Sequence, residues 1–228
     1  MTGMYPIPLR TDEKLRETIQ QSVYRIRVGS GTANGFLCVY KRGITGEDDI
    51  FLLITKNRVI SDISMSSLKL QIFEFLSLPN LMQFQVSQNV IEDAWTDQNV
   101  YSTVIEIKQC MAARMMHQGA RFIEMGPPVV GNIVAVMGYQ EGNQISCDCG
   151  VIEQIRFEWH IFHRISSKPG CCGAPLVNME GKVVGIHQGI CLNVWCEAVS
   201  LEFVLKQYFQ QRKVLVKSAT QGISYYDK

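Results

Sequence analysis

From Val23 to Ala198 the sequence is written in short apolar runs broken by Gly, Pro, Asn, Asp and Ser. That rhythm constrains the fold more than any other feature. Runs this short and this rich in β-branched residues are strands, and many short strands bury their apolar faces by curling a sheet into a barrel. The first set reads Val23–Val28, a glycine-rich turn Gly29–Gly35, then Phe36–Tyr40, Ile50–Ile54, Leu68–Phe75, Met82–Val90 and Val100–Ile107. Residues 108–119 break the pattern and link two halves. The second set reads Ile133–Met137, Gln144–Cys149, Val151–Phe157, Ile161–Ile165, Pro175–Val177, Val183–His187 and Leu192–Ala198. Each set suffices for one small barrel.

The ends differ in character. Thr11 can cap a short helix that carries Asp12 and Glu13 in its first turn and Leu15, Ile19 and Val23 at helical spacing. After Ser200, another capping residue, Leu201, Val204, Leu205, Tyr208 and Phe209 recur as one face of a helix of about three turns. The expected fold is therefore all-β: two six-stranded antiparallel β-barrels with a short helix at each end. The expected divisions are an arm at 1–22, the first barrel at 23–112, the second barrel with its helix at 113–212, and a loose tail at 213–228, the two barrels forming one unit.

Composition excludes several partners. A chain of 228 residues can bury a sizeable core, and a net charge of +1 gives no electrostatic footprint for nucleic acid or an anionic membrane. No apolar run reaches the ~18–20 residues that span a bilayer, and residues 1–10 lack the apolar centre of a secretory signal. A cytosolic or nuclear setting is expected. The eight cysteines lie scattered in strand-like text rather than in a small coreless domain, so most read as reduced, buried, small hydrophobes. Cys147 and Cys149 share a strand face and, with Cys191 or Cys196, would imitate a zinc site, but no clean second pair exists. No metal and no cofactor are expected.

Chemistry concentrates in Lys168–Gly189, which reads K-P-G-C-C-G-A-P-L-V-N-M-E-G-K-V-V-G-I-H-Q-G. Cys172 stands between glycines on a turn whose successive backbone N–H groups can converge, and two donors aimed at one point make an oxyanion hole. Gly170 and Cys172 would supply them. The thiolate is the reactive form of cysteine, so a nucleophilic Cys172 also needs a base or a positive neighbour.

With these elements in place the chain resembles the chymotrypsin-like protease superfamily. The likeness runs to its picornavirus-type cysteine branch and to intracellular proteases of the HtrA kind. It is carried by Gly170-Cys171-Cys172-Gly173-Ala174-Pro175, by Ser167-Lys168-Pro169 before it and by Gly185-Ile186-His187 after it. The resemblance implies that Cys172 holds the nucleophile position and that His187, with Ser167, Gln188 and Gly189, lines a pocket for a glutamine or glutamate side chain. It also implies a histidine base where the sequence reads Thr55-Lys56-Asn57-Arg58-Val59, and an acid where it reads Tyr101-Ser102-Thr103-Val104. Arg58 cannot serve as a base near neutral pH. It could hold a thiolate by charge but not carry a proton to a leaving amine.

Among the other histidines, His160 and His163 lie on one strand three residues apart, so they point to opposite faces and at most one can face a cleft. His117 is the remaining alternative base. The reading that follows is a catalytically impaired peptidase homologue that still binds a peptide or protein segment. An active cysteine endopeptidase cutting after glutamine is the alternative, and an interaction module with a filled cleft is the third.

Overall fold

The structure, a computed structural model, describes residues 17, 19, 21–28, 31–42, 49–57, 73–76, 85–86, 91–97, 99–140, 145–165, 169–191 and 195–222. The first half is an antiparallel sheet of β1 (Val23–Val28), β2 (Gly31–Tyr40), β3 (Ile50–Lys56), β4 (Phe73–Leu76), β5 (Gln85–Val86), β6 (Ile91–Asp97) and β7 (Ser102–Ile107). Their spatial order is β5-β4-β1-β2-β3-β7-β6, and β8 (Ile123–Glu124) adds in parallel beside β2. The second half comprises β9 (Ile133–Tyr139), β10 (Ile145–Arg156), β11 (His160–His163), β12 (Pro175–Asn178), β13 (Val183–Cys191) and β14 (Trp195–Ser200). It is a closed barrel in the order β10-β11-β14-β13-β12-β9.

Several expectations are corrected. Residues 108–119 are not a plain link, because Gln109–His117 form a helix, α1, whose Ala112 and Met115 pack into the first-half core. The C-terminal helix, α2, runs from Leu201 to Gly222, far beyond three turns and through most of the segment expected to be a tail. The two strands expected at 144–157 are the single strand β10, with a register irregularity between Ile152 and Gln154. Within the segment expected as a glycine-rich turn, β2 already begins at Gly31, and Asn34 is a strand residue paired with Arg25. Ile91–Asp97 is a strand that the sequence pattern did not announce. Of the expected N-terminal helix, Thr11 to Gln21, Glu17, Ile19 and Gln21 are described; the first two are helical and Gln21 is in a turn, while the Thr11 cap lies outside the described residues.

Alternation along the strands sorts the core into three clusters. Tyr24, Ile26, Leu37, Leu53 and Ile105 fill the first half beneath α1, and Val134, Val136, Ile152, Ile161, Leu176 and Val184 fill the second barrel. The third cluster joins the halves: Phe36, Leu52 and Ile54 meet Met137, Val177 and Ile186, with Leu201, Val204, Leu205 and Tyr208 of α2 closing over them. Each such fully buried aliphatic side chain contributes about 1.5–3 kcal/mol. The helix is further tied to the first half by Glu106, a buried carboxylate on β7 that accepts from the Tyr208 hydroxyl at 2.6 Å and pairs with Arg212. Among the described residues no helix is long and apolar enough to cross a membrane.

Candidate functional site

The site forms where the turn before β12 meets the ends of β2 and β3. Gly170 and Gly173 have φ of +99° and +84°, a region that side-chain-bearing residues avoid, which explains why glycines bracket the two cysteines. A Cβ on Gly173 would overlap the Asn34 carbonyl oxygen, so glycine is required there a second time. Gly173 N–H donates to the His187 carbonyl and His187 N–H to the Ala174 carbonyl, both at 2.8 Å, which fixes the turn against β13.

Asn34 is the strut between the halves. Its backbone N–H donates to the Cys172 carbonyl at 3.1 Å, and its side-chain Nδ2 donates to the carbonyls of Gly170 at 2.6 Å and Tyr139 at 3.0 Å. Its Oδ1 accepts from Tyr139 N–H at 2.6 Å, and the Thr55 hydroxyl donates to its carbonyl at 2.8 Å. The side-chain amide and both backbone groups are thus satisfied in a residue only 1% exposed. Sequence reasoning missed Asn34 because it read as a turn residue among glycines.

Cys172 is half-buried, and its thiol donates to the Gln188 carbonyl at 3.1 Å. Cys171, by contrast, is buried and lies 3.5 Å from the Ser146 hydroxyl, inside the barrel. Lys56 Nζ also donates to the Gln188 carbonyl, at 2.9 Å, so the ammonium and the thiol share one acceptor. Nothing in the sequence singled out Lys56; a lysine at a strand end usually points into solvent. The carbonyl it finds is exposed by a bulge in β13, where register jumps from His187↔Ala198 to Gly189↔Glu197 and Gln188 is left over.

All four histidines of the chain are described, and none hydrogen-bonds Cys172. His187 is 1% exposed and its Nδ1 meets His163 Nε2 at 3.3 Å. Burial foremost, then His163 and Lys56, pulls His187 down to about 3, and burial pulls His163 down to about 4. Both are neutral at pH 7. His163 Nδ1 is buried and finds no hydrogen-bond partner among the described residues. His160 points the other way, stacked on Trp159 and 3.5 Å from Glu197, so the two faces separate as their spacing requires. His117 is exposed at the end of α1.

The remaining predicted positions fall as follows. Arg58 and Ser167 lie outside the described residues. Tyr101 is exposed in the turn between β6 and β7 at φ +49°, and its backbone carbonyl accepts from Asn57 N–H at 3.0 Å. Asn57 Nδ2 also donates to the Asp97 carbonyl at 3.2 Å, while the Asp97 carboxylate accepts from the backbone of Asn99 and Val100. Gly189, at φ +139°, leaves the space over the Cys172 sulfur open. Cys147 and Cys149 share a half-exposed face of β10, whereas Cys196 points to the Ile165 carbonyl at 3.0 Å. Among the described residues no group of three or more His, Cys, Asp or Glu side chains is arranged to hold a metal ion. Cys38, Cys110, Cys147, Cys149, Cys171, Cys172 and Cys196 are free thiols, and burial pushes Cys38 up to about 12.

The closed six-stranded barrel, the companion sheet and the turn wedged between them define the chymotrypsin-like two-barrel protease fold. Among solved structures the chain is similar to the Rv3671c protease in its inactive form. The TM-score is 0.64 at 15% identity over 92% of this chain and 98% of that one. It is similar also to the active form from M. tuberculosis, with TM-score 0.62 at 16% identity over 91% and 89% of the two chains. Deg5 superposes with TM-score 0.60 at 17% identity over 90% of this chain and 95% of its own. No protein-family model matches the sequence, and no curated protein matches it.

Proposed function

We propose that this protein is a protease-fold homologue that binds a peptide segment and does not turn it over. The observation that carries the reading is the environment of Cys172: its thiol hydrogen is spent on a backbone carbonyl, and no imidazole stands ready to accept it. A thiol without an imidazole beside it has no group to carry its proton to a leaving amine.

His187 supports a pocket for glutamine over glutamate. A histidine held neutral offers a donor or acceptor to a side-chain amide and no charge to a carboxylate. The N–H groups of Gly170 and Cys172 are the oxyanion donors of this reading, Gln188 and Gly189 its pocket wall, and Ser167 the hydroxyl residue that the resemblance assigns to the same pocket. Arg58 stands at the position of the lost base and Tyr101 at that of the lost acid.

Immobilised protein is expected to retain glutamine-containing peptides from a random library and release them uncut, with retention reduced in His187→Leu. Release of fragments ending in glutamine, abolished in Cys172→Ala, would establish the active endopeptidase instead. No retention of any peptide would favour the filled-cleft module.

A further inference from the structure

Lys56 is misplaced for cutting but well placed for something else. Its ammonium and the Cys172 thiol share one acceptor, the neutral Gln188 carbonyl. Among the described residues no carboxylate pairs with it. The Asp97 carboxylate, at the end of β6, is committed to the backbone of Asn99 and Val100. An ammonium has three donors, and one of them is used.

The adjoining turn adds two more. Neither the Gly170 nor the Cys172 backbone N–H donates a hydrogen bond to any described residue, while Gly173 N–H, one residue on, is spent on His187. A cation and two unspent backbone donors on one turn are a receptor for an anion. The neutral mid-chain amide of a substrate would leave that charge unanswered.

We propose that the ligand is a peptide that ends in this cleft, with its free C-terminal α-carboxylate held by Lys56 Nζ and by the N–H groups of Gly170 and Cys172. The assignment rests on the peptide-cleft reading above and names the class of peptide. Lys56 keeps its contact to the Gln188 carbonyl and turns a second N–H to the carboxylate. The ligand thus resembles what a protease releases rather than what it attacks.

The experiment compares two fluorescent tetrapeptide libraries with glutamine last, one ending in a free acid and one in an amide, by anisotropy against the full chain. The free acids are expected to bind at least about tenfold more tightly, and added salt to erode the difference. Lys56→Met should erase the preference, Lys56→Arg should keep most of it, and thermal melts of both variants establish that they fold. Equal binding of acid and amide, or a preference that survives Lys56→Met, overturns the proposal and leaves the peptide cleft standing. Equally tight binding of an amidated peptide ending in glutamate would transfer the site to a side-chain carboxylate and also overturn it. If no peptide binds in either form, the cleft reading itself fails.

Discussion

Acid should unfold this protein early, because two histidines are buried neutral and touching. In the unfolded chain each binds a proton near its ordinary value of 6.5, whereas in the fold His163 is held down to about 4 and His187 to about 3. Between those limits the unfolded state carries more protons, so stability is complete above about pH 7 and falls as pH drops. At pH 5.5 each histidine removes roughly 1.4 kcal/mol, about 3 kcal/mol for the pair. By pH 4 the loss approaches about 6 kcal/mol, which rivals the whole stability of an ordinary domain. Urea unfolding followed by tryptophan fluorescence at pH 7.5, 6.5, 5.5 and 4.5 measures it. In the lower part of that range the midpoint should fall with a slope of about two protons, and in His187→Gln with about one. A midpoint unchanged between pH 7.5 and 5.5 would refute the reasoning, since it would require both imidazoles to be protonated or solvated in the fold.

Three further outcomes follow from the packing. Asn34→Ala removes the strut to Gly170 and Tyr139, including the side-chain acceptor of the Tyr139 N–H, so it should cost about 2–4 kcal/mol in denaturant unfolding and alter the iodoacetamide reactivity of Cys172. Gly173→Ala puts a methyl group onto the Asn34 carbonyl at a backbone angle alanine avoids, and should cost more than about 2 kcal/mol, visible as a lowered melting temperature. Glu106→Ala removes the carboxylate that accepts from the Tyr208 hydroxyl and pairs with Arg212 and should cost about 3 kcal/mol. Hydrogen exchange in that variant should rise first in α2.

The two-barrel architecture was legible because it is repetitive: many short apolar runs leave few alternatives. The turn that carries Cys172 was legible because glycines at positive φ cannot be replaced cheaply, so Gly170 and Gly173 advertise the turn they make. The helix α1 was not legible, since Lys108 supplies no side-chain cap and no acidic residue marks its first turn. The length of α2 was hidden as well, because the polar stretch after Phe209 carries no helix stop short of Gly222 and reads as a tail. Lys56 and Asn34 were invisible for a different reason. Their roles depend on partners more than a hundred residues away, the Gln188 carbonyl for one and Gly170 and Tyr139 for the other. Local pattern carries no record of a bulge in a distant strand.

The central claim is that no histidine serves Cys172 as a base, and the most direct measurement of it is turnover. A glutamine-containing peptide that the protein retains would be incubated with wild type, Cys172→Ala and Arg58→His and followed by mass spectrometry. The account predicts that wild type cuts no faster than Cys172→Ala and that Arg58→His cuts measurably. Cleavage by wild type that Cys172→Ala abolishes would contradict it.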